Sequence, residues 1–124
     1  MAEAADLEQM LKLYLDMIQK NEDLFSVLAR ELPFYPDELR RMVLFRDSII
    51  RSHFHKVITA GIKSRKYRPI NVTSALSFLF GTINYYLSLK TIFVNDESVI
   101  EKFKTSIIST FKTLVLCEQG AQNE

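Results

Sequence analysis

The chain of 124 residues has one cysteine, three glycines and three prolines. A lone thiol, Cys117, excludes an internal disulfide framework and fits a reducing cytoplasm. So few turn formers exclude a turn-rich all-β protein. An excess of one charge is also missing. Sixteen Lys and Arg against fifteen Asp and Glu leave a net charge of +1, which gives no general attraction to nucleic acid or to a membrane surface. No early apolar run of the signal-peptide kind occurs, because Glu8, Gln9, Lys12 and Asp16 interrupt residues 7–18. Catalytic spacings are absent as well: there is no Ser-His-Asp or Cys-His arrangement and no glycine-rich phosphate loop. An enzyme, a cofactor and a metal site are therefore not expected. His53 and His55 fall on opposite sides of a regular helix and cannot chelate one ion.

What is present is apolar residues at helical spacing. With 48% hydrophobic and 25% charged residues, the composition is that of a globular chain, and 124 residues form one domain that buries about two-thirds of its unfolded surface. Residues 1–124 are read as a single all-α domain, an antiparallel bundle of four to five helices. The first helix places Leu7, Met10, Leu11, Tyr14, Met17 and Ile18 on one face and pauses at Asn21. A second, offset stretch over 24–32 ends before Pro33. Pro36, followed by Asp37 and Glu38, opens a long helix with an inward stripe of Leu39, Met42, Val43, Ile49, Ile50, Phe54 and Val57. Gly61, the basic cluster of 63–68 and Pro69 end it, and Asn71 caps the next. Ser98 with Glu101 forms a capping box for the last helix, which buries Val99, Ile100, Phe103, Ile107, Phe111 and Leu114.

The helix predicted over 72–94 has no charge before Lys90. Apolar residues cover more than half of its circumference, and the remaining arc holds Thr73, Ser77, Gly81, Asn84, Ser88 and Thr91. Such a helix lacks an ordinary solvated face. Its polar residues make it a poor membrane span, so a membrane is not an expected partner. In a chain of this size, one side belongs to the core and the other meets a partner. Small residues around Gly81, Asn84 and Ser88 allow backbones to approach, and pairing with a second copy buries the arc without stranding a charge.

Several phrases together resemble the C-terminal domain of TetR-family transcriptional regulators. They are Gln19-Lys20-Asn21-Glu22-Asp23-Leu24-Phe25, the helix end Ala60-Gly61-Ile62, Tyr67-Arg68-Pro69, and Phe80-Gly81-Thr82-Ile83-Asn84. The chain departs from the family at Arg65 and Lys66, where a second glycine and an acidic residue are common. It departs again at the front, where residues 1–5 resemble the cut end of a connecting helix and no helix-turn-helix domain precedes residue 7. The resemblance implies a homodimer built from the last two helices, a cytoplasmic regulator such as a repressor, and DNA contact only through a domain absent here. It also implies a pocket for a small effector, largely apolar given the aromatic and Met-containing interior. The dimer interface is expected at Thr73, Ser77, Gly81, Asn84, Ser88, Phe103, Ile107, Phe111 and Leu114. Ligand contact is expected from His53, the inward histidine of its helix, with Phe45, Ile49, Phe78, Thr82, Tyr85 and Tyr86. The alternative is a free-standing helical interaction module with no ligand.

Overall fold

The computed structural model describes residues 3–116, with side chains from Leu7 onward; Cys117 lies outside the described residues. Within them the chain is all helical: α1 (Glu3–Lys20), α2 (Glu22–Glu31), a 3-10 turn (Leu32–Phe34), α3 (Asp37–Lys63), α4 (Val72–Ser88), the single turn α5 (Lys90–Phe93) and α6 (Val99–Val115). Helices α1, α3, α4 and α6 pack in a closed cycle, α1 on α3 and α6, and α4 on α3 and α6. Helix α2 lies along α4. Leu7, Leu11, Leu15 and Ile18 of α1 meet Phe54 and Ile58 of α3, Leu76, Leu79 and Ile83 of α4, and Val99, Ile107 and Val115 of α6 in one core.

The local stops and starts follow their chemistry. The Asn71 side chain accepts the Ser74 N–H at 2.9 Å, and the Ser98 hydroxyl accepts the Glu101 N–H at 2.9 Å. The return half of the capping box does not form, because the Glu101 carboxylate accepts from Gln19 of α1 at 2.9 Å. The charge-free helix ends at Ser88 and resumes as the short α5, so the predicted span 72–94 is two pieces.

Gly61 is required by contact as much as by helix termination. A Cβ there would run into ring carbons Cδ2 and Cε2 of Tyr67, which is 1% exposed and fills the notch that the missing side chain leaves. Arg65, standing where the family often has glycine, takes the left-handed conformation that the turn needs, at φ 67°. Arg68 then reaches the end of α6: its Nε donates to the Leu114 carbonyl at 2.9 Å and its Nη2 to Thr113 at 2.7 Å. That cation at a helix C-terminus satisfies carbonyls the helix cannot.

Helix α3 corrects the stripe read from sequence. Val43, Ile50, Phe54 and Ile58 point inward, whereas Leu39, Met42, Phe45 and Ile49 are exposed, and so is His53. The helix carries two apolar stripes. Spacing alone does not say which one meets α1 and α4, and beside the chosen stripe Asp47 stays exposed.

Candidate functional site

A cavity of about 120 Å³ lies among α1, α2, α3 and α4. Its apolar wall consists of Met17 and Ile18 of α1, Phe25, Leu28 and Ala29 of α2, Leu32, Val43 and Ile50, with Phe80 and Leu87 of α4. Five polar side chains share it: Tyr14, Arg46, Asp47, Arg51 and Asn84. Tyr14, Phe54 and Phe80 form a mutually edge-on triad, with centroids 5.5 to 6.0 Å apart. The guanidinium carbon of Arg51 sits 4.8 Å from the centroid of Phe80.

Electrostatics at the cavity follow from partial burial. Burial pushes the Tyr14 hydroxyl up to about 12, helped by the nearby Asp47 carboxylate and opposed by Arg51. Burial also raises Asp47 above its ordinary value, against the pull of Arg51 and then Arg46. The cluster of Arg46, Asp47 and Arg51 thus has one positive charge in excess when Asp47 is ionised.

A second depression runs between α4 and α6, lined by Phe78, Leu79, Thr82, Tyr86, Ser106, Ile107, Thr110, Phe111 and Leu114. Beside it the outer face of α4 exposes Thr73, Ser77, Phe78, Gly81, Thr82, Asn84 and Tyr85, with no charged residue among them. Phe78 is 68% exposed, a large value for a phenylalanine in the middle of a helix. At one end of the groove Tyr86 stacks on Phe103, centroids 4.1 Å apart, with Phe93 edge-on to both.

The sequence-based site residues are therefore distributed differently from expectation. None of His53, Phe45, Ile49, Phe78, Thr82, Tyr85 and Tyr86 lines the α1–α4 cavity. His53, Phe45 and Ile49 are exposed on α3, on the stripe that faces away from the core. Phe78, Thr82 and Tyr86 line the α4/α6 groove, and Tyr85 is exposed beside Phe93. Of the expected interface residues, Thr73, Ser77, Gly81 and Asn84 are exposed, and Ser88, Phe103 and Leu114 are half-buried. Ile107 and Phe111 are buried within the chain at 5% and 3% exposure, because α6 turns them toward its own core. Asn84 also reaches the α1–α4 cavity. Sequence reasoning missed Tyr14, Arg46, Asp47 and Arg51. The available signal was Asp47, an ionisable residue four positions after Val43 and three before Ile50, both of which line the cavity with it.

Among the described residues, no three His, Cys, Asp or Glu side chains are grouped to hold a metal ion, and no helix is long and apolar enough to cross a membrane. The family model described as Tetracyclin repressor-like, C-terminal domain matches residues 2–88, and the chain belongs to that family. No curated protein and no solved structure matches it.

Proposed function

We propose that this chain is the ligand-sensing and dimerisation domain of a TetR-like transcriptional regulator, a single domain that acts in the cytoplasm as part of a repressor. The observation that carries the reading is the double use of α4. Its inner side supplies Phe80 and Leu87 to the cavity, and its outer side is the charge-free face with Phe78 and Gly81. A ligand that shifts α4 shifts the face on which a second copy sits. Coupling of this kind is a difference in binding free energy between two arrangements, and about 1 to 3 kcal/mol changes operator affinity about 5- to 150-fold. DNA is met through a helix-turn-helix domain and not through residues 3–116. In these the basic cluster of 63–68 sits at a helix end, and Arg68 is committed to α6.

Thermal-shift screening with small apolar and aromatic compounds tests the sensing half. Ala29→Leu fills the cavity from α2 and should abolish ligand-induced shifts while the apo protein still folds and pairs. Ligands whose shifts survive Ala29→Leu unchanged bind elsewhere, and the cavity is then not the sensor.

A further inference from the structure

The proposed sensing role leaves open what the cavity takes, and the polar groups around it are unequal enough to decide between chemical classes. We infer that the cavity takes a small organic monoanion, a carboxylate on a single ring or short alkyl chain, with its head at Arg51 and Arg46 and its tail among Met17, Ile18 and Leu87. The inference rests on the reading of the cavity as the ligand site.

Size sets the first limit. A cavity of about 120 Å³ is slightly smaller than the roughly 150 Å³ apolar cavity that holds benzene. A fused-ring or long-chain ligand does not fit without opening the bundle.

Charge sets the second. Among the described residues neither Arg46 nor Arg51 has a hydrogen bond or an ion pair within 4 Å, although each guanidinium offers five N–H donors in a planar fork. Arg51 is held in place all the same, because its guanidinium lies on the buried ring of Phe80. An uncommitted, positioned fork beside an apolar cavity is suited to a bidentate carboxylate. The Tyr14 hydroxyl, on the same wall, stays protonated well above neutral pH and so remains a donor to an anion.

A cationic ligand is the competing class, since aromatic rings and one acidic residue at a cavity also suit an amine. Two observations count against it. The Phe80 ring already carries the Arg51 guanidinium, and Asp47 already lies in the field of two arginines. An entering ammonium would displace one cation and meet the other. Asp47 is the like charge that a carboxylate must tolerate, and desolvation already disfavours its ionised form.

The test uses three probes that share a benzyl group: phenylacetate, phenylacetamide and 2-phenylethylamine. Each is titrated into the whole chain while the 13C methyl resonances of Met17, Ile18, Leu28 and Leu87 are followed. Phenylacetate should move these methyls and bind about tenfold or more tightly than the amide, the difference expected for hydrogen bonds to a charged group. The amine should bind more weakly than either. Arg51→Met should bring the acid down to the level of the amide, and Asp47→Asn should tighten the acid while leaving the amide unchanged. If the amide or the amine binds as tightly as the acid at the same methyls, the cavity stands as a ligand site and the carboxylate inference falls. If no probe moves any of the four methyls, the cavity reading falls and the inference falls with it. The wild-type series alone separates these outcomes, so a poorly folding Arg51→Met does not obscure them.

Discussion

The Nζ of Lys90 lies 2.7 Å from Oε2 of Glu22, and the pair is enclosed, with side chains 15% and 5% exposed. The same carboxylate accepts the Val99 N–H at 2.8 Å, the Ile100 N–H at 3.2 Å and the Ser98 hydroxyl at 2.5 Å. Glu22, at the start of α2, therefore caps α6 from 77 residues away, and Lys90 neutralises the charge that this places inside the fold. Ser26, one turn further along α2, donates to the Leu87 carbonyl at 2.7 Å. Through these two residues the helix that walls the cavity is fastened to both α6 and α4.

Glu22→Gln should be costly because it leaves the Lys90 ammonium only the exposed carboxylate of Asp23, at 2.9 Å, and puts an amide where Lys90, Ser98, Val99 and Ile100 all donate. Removing one member of a buried pair costs about 3 to 5 kcal/mol where nothing else compensates the charge, and Asp23 sets that as the upper limit here. By contrast, Glu8→Gln breaks only the contact with Lys112 at 2.8 Å, and solvent-screened surface pairs contribute little. Urea unfolding of both variants at neutral pH should show the difference. Equal losses would mean that Glu22 is not the clamp described.

The same pair sets an acid limit. Burial pushes the Glu22 carboxyl up, but hydrogen bonds from Lys90, Ser98, Val99 and Ile100 outweigh it and hold the group below its ordinary value. A carboxyl depressed in the folded state contributes stability that is complete above its unfolded value, about 4.3, and is lost as pH falls through the folded value. The stability gap between wild type and Glu22→Gln should therefore be widest near pH 7 and narrow below about pH 4. A gap that is constant with pH would remove Glu22 ionisation as its cause.

Tyr14 gives a limit at the other end of the scale. Its hydroxyl, raised chiefly by burial to about 12, should stay protonated after an exposed tyrosine has ionised near 10. The sign follows: a raised acid in the folded state favours folding below the unfolded value, and that contribution is lost between about pH 10 and 12. Ultraviolet difference titration of wild type against Tyr14→Phe should show the late-titrating group disappear.

Two glycines, both within helices, should respond oppositely to alanine. At Gly81 nothing lies within 4 Å of a Cβ, so the single chain should gain up to about 1 kcal/mol from helix propensity. At Gly61 the same propensity gain meets Tyr67, and forcing that ring out of its notch costs about 1 to 3 kcal/mol. Gly61→Ala should thus lower the melting temperature although alanine is the better helix former. If Gly61→Ala is stabilising, the notch is not close-packed.

Much of the fold is legible in the sequence because its signals are local. Pro36, Asn71 and Ser98 mark helix starts by hydrogen bonds and backbone restrictions that span three or four residues, and each start lies within one residue of its mark. The absence of charge on α4 is equally plain. The clamp at Glu22 is not, since an acidic residue at a helix start reads as a favourable dipole contact and nothing nearby announces Ser98 or Lys90. The cavity is hidden for a related reason. Along α3 the apolar positions run wider than one stripe, so Leu39, Met42 and Ile49 read as inward together with Val43, Ile50, Phe54 and Val57, and which of them are covered depends on how α1 and α4 close around the helix. On that broad stripe His53 reads as inward, although it is exposed.

The central claim, that the outer face of α4 joins two copies, is most directly tested by sedimentation velocity on the whole chain at tens of micromolar, with Phe78→Glu alongside. The wild type should sediment at twice the chain mass. Phe78→Glu should sediment at the chain mass with an unchanged circular dichroism spectrum, because Phe78 makes no part of the monomer core and an unpaired charge in a desolvated interface costs several kcal/mol. A wild-type monomer at that concentration, or a Phe78→Glu variant that remains dimeric, would contradict the claim.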